Sequence, residues 1–182
     1  MRGKYAYGMP EGRAGAKMVA HSEAEMALLV GKHINKIDKK GRVSVPKPFR
    51  ASVMERGGSV LYVYPSFNYP AIEACGEEFM RRLTESLCGK EMFSNEQEDL
   101  AAAVLDSAHA LPFDPEGRVV LPKDLIAHAG ISGEALFVGR GESMHIWQPD
   151  AHEIHRRNGI DQVRARRATL PLLPSSPEKG GA

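Results

Sequence analysis

A ten-residue motif that combines one arginine with lysine occurs twice in the chain, with three lysines in the first copy and one in the second. Positions 38–47 read Asp-Lys-Lys-Gly-Arg-Val-Ser-Val-Pro-Lys and positions 114–123 read Asp-Pro-Glu-Gly-Arg-Val-Val-Leu-Pro-Lys, so six of the ten residues are identical. An arginine can donate two hydrogen bonds to the O6 and N7 atoms of guanine, and a lysine can neutralise a phosphate. These residue types make the motif a candidate for nucleic-acid binding.

Each copy of the motif predicts a β-turn between two strands. The sequence 114–117 has proline and glycine at positions that these residues favour in a type I turn, and 38–41 fits the same turn. Short β-prone segments lie at 34–37 and 42–45 around the first turn, and at 110–113 and 118–121 around the second. Each copy therefore predicts a hairpin that displays its arginine just past the tip. The turns themselves are assigned to Asp38, Gly41, Asp114 and Gly117.

The same plan of elements follows both turns. Pro46 and Pro122 suit the first turn of a helix, and further β-prone runs complete a β-β-α-β-β pattern in each copy. Apolar residues four apart, with a capping pattern at Ser94 and Gln97, predict a helical pair between the copies. We therefore predict a mainly β fold with short helices, of the α+β class. Its predicted parts are two tandem domains at 32–79 and 108–151 and a helical linker at 80–107.

Charge is distributed unevenly although the whole chain is nearly neutral. The 182 residues include 24 lysines and arginines and 23 aspartates and glutamates, which gives a net charge of +1. Positions 32–56 hold eight basic residues against two acidic ones, whereas positions 114–128 hold two against three. The first turn is therefore the better candidate for contact with DNA. The candidate DNA-binding residues are Lys36, Lys39, Lys40, Arg42, Lys47, Arg50, Arg118 and Lys123.

These residues are expected to play different roles. Phosphates are expected to be contacted by the lysines Lys39, Lys40 and Lys47. Arg42 is expected to read guanine, with the alternative that it pairs with Asp38 and braces the turn. The bracing role is the more favoured one for Arg118. Arg50 is expected either to contact a phosphate or to face solvent.

Other chemistry has little support in the sequence. Cys75 and Cys88 lack metal-ligand spacing and are expected to be buried or half-buried apolar side chains. His145, His152 and His155 have no pattern of acidic or cysteine ligands around them, so we expect surface histidines and no metal. No acid pair, nucleophile with base or phosphate-binding loop has a workable spacing. We therefore predict no enzyme, no cofactor and no small-molecule substrate.

The two ends of the chain differ in composition from the middle. Residues 1–25 have no apolar periodicity and predict a disordered arm, or an upstream extension of a true translation start at Met26. Residues 152–182 predict a basic segment and a flexible tail, whose arginines are expected to be solvated rather than to attract DNA non-specifically. The longest apolar run near the N-terminus, 26–30, is far shorter than the ~20 residues of a membrane span. We therefore expect no membrane partner. The chain has only two cysteines and is long enough to need no disulfides, which fits the reducing cytoplasm.

The doubled Asp-x-x-Gly-Arg-Val-x-x-Pro motif resembles the MraZ family over about residues 26–155. Supporting segments are 30–38 (Val-Gly-Lys-His-Ile-Asn-Lys-Ile-Asp), 129–139 (Ala-Gly-Ile-Ser-Gly-Glu-Ala-Leu-Phe-Val-Gly) and 145–147 (His-Ile-Trp). The resemblance implies two SpoVT-AbrB-type swapped-hairpin domains that form a pseudo-twofold double-hairpin barrel. It also implies a bacterial DNA-binding transcriptional regulator, associated with the nucleoid, that forms a homo-oligomeric ring. Such a protein binds short G-rich direct repeats and represses its own promoter and the downstream division and cell-wall gene cluster.

The second motif departs from the first at the turn. Pro115 and Glu116 stand where the first copy has Lys39 and Lys40, which favours the first turn for DNA contact. An alternative function is an antitoxin-like interaction module, whose hairpins serve for dimerisation while its tail captures a partner protein. A stable one-to-one protein partner would distinguish that module from a DNA-binding regulator.

Overall fold

The computed structural model describes residues 28–55, 58–88 and 94–170. Over these ranges the chain alternates short strands and helices. In chain order they are β1 (Lys32–Lys36), β2 (Arg42–Ser44), α1 (Lys47–Glu55), β3 (Val60–Pro65), β4 (Ala71–Cys75), α2 (Glu77–Cys88), α3 (Asn95–Ala101), β5 (His109–Pro112), β6 (Arg118–Val120), α4 (Lys123–His128), β7 (Glu134–Gly139), β8 (Ser143–Trp147) and α5 (Pro149–Arg166). A π-helical turn at Ala102–Asp106 continues α3. The arm predicted at 1–25, the tail from residue 171 and the side chain of Cys88 lie outside the described part.

The strands form one large sheet and one small ribbon. The six-stranded sheet has the order β1-β7-β8-β4-β3-β5, and β2 pairs with β6 in a two-stranded ribbon. All of these pairings are antiparallel. The sheet is open among the described residues, with β1 and β5 at its edges, and these strands do not close into a barrel. A mainly β fold with short helices, as predicted, is confirmed.

The strands on the two sides of each turn separate and pair with the other half of the chain. We call β1 to β4 with α1 the first half, and β5 to β8 with α4 the second half. Edge strand β1 pairs with β7, edge strand β5 pairs with β3, and β2 pairs with β6. Within the first predicted hairpin, pairing is limited to one bridge between Ile37 and Val43. The predicted turns are therefore present, but the extended hairpin ladders are replaced by pairing between the halves.

The exchange of strands builds one shared core. The ribbon alternates, so Val43, Val119 and their neighbours Val45 and Leu121 are at most 2% exposed, while Val120 is 54% exposed. These apolar side chains meet the inner face of the six-stranded sheet together with Phe49 of α1 and Leu125 of α4. Burying apolar area from both halves at once stabilises the pairing between them, because the hydrophobic contribution scales with the area removed from water.

Helices cover the other face of the sheet. A small cluster around Met80 and Val104 packs α2 and the π-helical turn against Tyr64 and Cys75. Helix α5, which the sequence did not predict, lies over Trp147 and Leu136. No helix in the described part of the chain is long and apolar enough to cross a membrane.

Candidate nucleic-acid interface

The carboxylate of Asp38 organises the first turn. Its Oδ1 accepts hydrogen bonds from the backbone N–H groups of Lys40 at 2.8 Å and Arg42 at 2.9 Å. The Gly41 N–H donates to the Asp38 carbonyl at 2.9 Å, and Gly41 adopts a φ of +82°. An aspartate that closes a turn through its own side chain, followed by a glycine in the left-handed region, explains why this sequence forms a tight turn.

Arg42 braces the turn and remains accessible. Its Nε donates to Asp38 Oδ2 at 2.6 Å, while the side chain is still 46% exposed. The backbone N–H and the guanidinium of Arg42 hold the pKa of Asp38 below its usual value. The two Nη groups of Arg42 have no hydrogen-bond partner among the described residues. The bracing contact weighed as an alternative is therefore present, and it leaves four N–H donors free at the end of the guanidinium.

The second turn repeats this geometry with an additional acidic partner. The carboxylate of Asp114 accepts from the Arg118 backbone N–H at 2.8 Å and from Arg118 Nε at 2.7 Å. Arg118 Nη2 also donates to Glu116 Oε2 at 2.9 Å. The backbone N–H and the guanidinium of Arg118 hold the pKa of Asp114 below its usual value. Two carboxylates of its own turn thus engage Arg118, whereas one engages Arg42.

Arg50 lies against the second turn. Its Nη1 is 3.3 Å from the carbonyl oxygen of Gly117 and 3.4 Å from that of Glu116, two long hydrogen bonds that the arginine donates. The side chain is half-buried there. The sequence-based prediction for Arg50, contact with a phosphate or with solvent, missed this contact because Glu116 and Gly117 lie 66 and 67 positions away in the chain.

The lysines fall into two groups. Lys39 and Lys40 are exposed on the first turn, and with Lys123 of α4 they line one cleft of about 360 Å³. Lys36 lies at the end of β1 opposite Glu134, and Lys47 is the first residue of α1. Both are exposed, but neither lines this cleft.

The three histidines near the C-terminus form a packed cluster with Trp147. His145 and His152 are 6% and 7% exposed, which corrects the expectation of surface histidines. The His155 ring stacks on Trp147 with centroids 5.0 Å apart, and His152 meets it edge-on at 5.6 Å. Trp147 is 1% exposed and therefore packs in the interior. No group of residues suited to a metal ion occurs in the described ranges.

The arginines of α5 are exposed and in part paired along the helix. Arg156 and Arg157 both donate to Glu153, at 2.8 Å and 3.1 Å at the closest atoms. Residues 161–170 are all exposed. This arrangement matches the expected solvated face, because ion pairs three or four residues apart on an exposed helix are common and weak.

The described fold and turns define a class of protein: an antiparallel β protein with a duplicated strand-turn-strand motif, which presents an arginine and lysines at one turn. A family model described as "MraZ protein, putative antitoxin-like" matches residues 104–168. A transcriptional regulator MraZ of Pelagibacter ubique is 40% identical over 136 residues, 75% of this chain and 88% of that protein. Its counterpart in Methylocella silvestris is 36% identical over 149 residues, 82% and 91% of the two chains. That of Gluconacetobacter diazotrophicus is 36% identical over 160 residues, 86% and 99% of the two chains.

The chain belongs to the MraZ family, because these similarities cover most of both partners in each comparison. The resemblance inferred from the doubled motif is thereby confirmed. The relatives are named as regulators of transcription, which agrees with the expectation that the chain is not an enzyme.

Proposed function

We propose that this protein is a sequence-specific DNA-binding transcriptional regulator that uses its first turn to read DNA. The observation that carries the proposal is the exposed Arg42, braced through Nε and free at both Nη groups, beside the exposed Lys39 and Lys40. The names of the relatives support the same function. In this proposal the protein acts in the cytoplasm at the nucleoid, and it represses its own promoter and the downstream division and cell-wall genes.

Arg42 is proposed to read guanine in the major groove. A two-stranded β element fits that groove, and an arginine can donate two hydrogen bonds to O6 and N7 of one guanine. The contact to Asp38 holds the guanidinium before DNA arrives, which lowers the entropy lost on binding. Each such contact is worth about 1–3 kcal/mol of discrimination against a wrong base.

The lysines are proposed to contact phosphates without reading sequence. Lys39 and Lys40 would neutralise phosphates beside the turn, with Lys36 and Lys47 as further contacts. The second turn offers fewer free donors to DNA, because Asp114 and Glu116 already accept hydrogen bonds from the Arg118 guanidinium. Binding should therefore weaken with added salt, while the preference for a particular duplex depends mainly on Arg42.

Tight binding is proposed to come from several subunits. One turn offers few contacts, so a homo-oligomeric ring that engages repeated G-rich boxes would raise the effective concentration of each later contact. We propose residues 32–79 and 108–151 as the two swapped-hairpin domains of each subunit, joined by the linker at 80–107. The exchange of edge strands between the two halves supports that assignment.

The proposal is tested by fluorescence anisotropy with the protein's own upstream DNA and a scrambled duplex across a salt series. The wild-type protein is expected to prefer the upstream duplex and to lose affinity as salt rises. Arg42→Ala is expected to lose that preference by about 5-fold to 150-fold for each contacting subunit, the equivalent of about 1–3 kcal/mol. Arg118→Ala, the counterpart in the repeat, is the matched control and should retain most of the preference.

Two outcomes would contradict the proposal. Undiminished preference in the Arg42→Ala protein, with unchanged size by gel filtration, would show that another residue reads the sequence. Absence of binding to either duplex, together with a stable one-to-one protein partner, would favour the antitoxin-like module. This second function is tested because the matching family model is described as antitoxin-like.

A further inference from the structure

Each turn is completed by the helix of the other half of the chain. The Leu121 N–H, just before α4, donates to the Gly41 carbonyl at 2.9 Å. A Cβ placed on Gly41 would come within 3.3 Å of Ile126 Cδ1 on that helix. At the second turn, the Val45 N–H donates to the Gly117 carbonyl at 3.1 Å, and Arg50 of α1 contacts the turn. The exchange of strands is therefore also an exchange of helices.

This exchange changes which charges surround the first turn. Lys123 belongs to a segment with more acidic than basic residues, yet its side chain lines the cleft beside Lys39 and Lys40. Arg50 belongs to the basic segment, yet it contacts the acidic second turn. Charge counted along the sequence thus assigns both residues to the wrong turn.

The cleft at the first turn has an apolar lining and a basic rim. Ile37, Ile126 and Ile131 contribute the apolar lining, together with Gly41 and Gly133. The three lysines Lys39, Lys40 and Lys123 carry the positive charge. Asp38 also lines the cleft, but its carboxylate oxygens already accept from two backbone N–H groups and from Arg42.

We propose that this cleft binds a phosphate group of the DNA backbone, and that Lys123 completes a three-lysine site with Lys39 and Lys40. The inference rests on the proposed DNA-binding function and adds a contact from the second half of the chain. The cleft volume of about 360 Å³ is ample for a phosphate with its neighbouring sugar. The site orients the duplex on the protein, since phosphate contacts fix register without reading bases.

The test compares the salt dependence of binding for Lys123→Gln and Lys32→Gln, using the upstream and scrambled duplexes. Both substitutions remove one positive charge from an exposed side chain, but Lys32 lines a groove beside α5 instead of the cleft. Lys123→Gln is expected to reduce the slope of log affinity against log salt by about 0.9 for each contacting subunit. Between 50 and 200 mM salt, the wild-type protein should then weaken about 3.5-fold more than the variant. Lys32→Gln should leave the slope unchanged.

Further measurements separate the possible outcomes. Lys123→Gln should weaken both duplexes alike and keep the thermal unfolding midpoint, while Lys123→Arg should restore the slope because it keeps the charge. An unchanged slope in Lys123→Gln, with salt-dependent binding by the wild-type protein, would overturn this inference and leave the proposed function standing. Failure of the wild-type protein to bind either duplex would overturn both.

Discussion

Replacement of Gly41 by alanine tests whether the first turn needs both the left-handed backbone and the close approach of the ribbon. Gly41 has a φ of +82°, and a Cβ there would lie 2.6 Å from the backbone oxygen of Leu121. A left-handed conformation costs a non-glycine residue about 1–2 kcal/mol. The clash adds about 1–3 kcal/mol, as is typical of overpacking. The Leu121 oxygen belongs to the backbone at the end of the ribbon, whose N–H is bonded to Gly41 at 2.9 Å, so it cannot simply move away.

The expected loss for Gly41→Ala is therefore between about 2 and 5 kcal/mol in the free energy of unfolding. For a chain of this size, each kcal/mol lowers the thermal midpoint by about 2–4 °C. Gly130→Ala is the matched control, because Gly130 has a φ of +62° but its Cβ would meet no atom of the described residues within 4 Å. That control should lose only the backbone contribution, about 1–2 kcal/mol.

The assay is thermal unfolding followed by circular dichroism, at one protein concentration because oligomers unfold in a concentration-dependent way. Gly41→Ala should unfold clearly below Gly130→Ala. Equal midpoints for the two variants would refute the reasoning, since they would show that the ribbon accommodates a Cβ at the turn without cost. A normal midpoint for Gly41→Ala would refute the left-handed requirement as well.

Two further predictions concern the histidine cluster and the second turn. Burial lowers the pKa of His152 and of His155 in the folded protein. Below the ordinary histidine pKa of about 6.5, the unfolded chain therefore binds more protons than the folded chain. The free energy of unfolding should fall from pH 7 to pH 5 in urea titrations that follow Trp147, the single tryptophan, and a constant value would contradict this. A Cβ at Gly117 would lie 1.6 Å from Arg50 Nη1, so Arg50 must swing aside and lose its hydrogen bonds to the turn, and Gly117→Ala should cost about 0.5–1.5 kcal/mol less in an Arg50→Ala background. Additive losses in the four unfolding curves would exclude this coupling.

The turns could be predicted from the sequence because their causes are local. Asp38 and Asp114 each accept from backbone N–H groups two and four residues ahead, and the glycines at 41 and 117 have positive φ. The helix starts after Pro46 and Pro122 were predictable for the same reason. The Ser94 cap is confirmed by the hydrogen bond that its Oγ accepts from the Gln97 N–H at 3.2 Å. Each of these features depends on residues within a few positions of one another.

The strand partners could not be predicted in the same way. Alternation in 42–45 shows that Val43 faces the interior, but it does not say which strand lies beside it. The structure pairs Val43 with Val119, 76 positions away, because both ribbon strands bury their apolar side chains in the same core. A three-residue strand carries too little pattern to specify a distant partner.

Helix α5 escaped prediction because its attachment to the sheet is not an apolar stripe. It is buried mainly through His152, with His155 stacked on Trp147. Histidine combines a polar tip with a flat ring, so its type gave no reason to expect burial. The exposed apolar residues of helix α5, Ile154 and Val163, add no clear helical periodicity to its sequence.

The two copies of the motif differ at the turn and on the following helix, and the fold brings these two differences together. At the turns, Lys39 and Lys40 correspond to Pro115 and Glu116, and on the following helices Arg50 corresponds to Ile126. Because the helices exchange, Arg50 lies beside the turn that carries Glu116, and Ile126 lies beside the turn that carries the lysines. An arginine donor against the carbonyls of the acidic turn stabilises that turn, whereas an isoleucine adds no charge beside the lysines.

This pairing gives a physical reason for unequal roles of the two turns. At the second turn, the side chains of Arg50, Arg118 and Glu116 are engaged with one another or with the turn backbone. At the first turn, the opposite helix brings Ile126 against Gly41 and Lys123 to the cleft, and the guanidinium of Arg42 keeps its Nη groups free among the described residues. Exchanging Arg50 and Ile126 would place an arginine beside three lysines and remove a donor from the acidic turn. The asymmetry between the turns is therefore encoded by residues that lie in the opposite halves of the sequence.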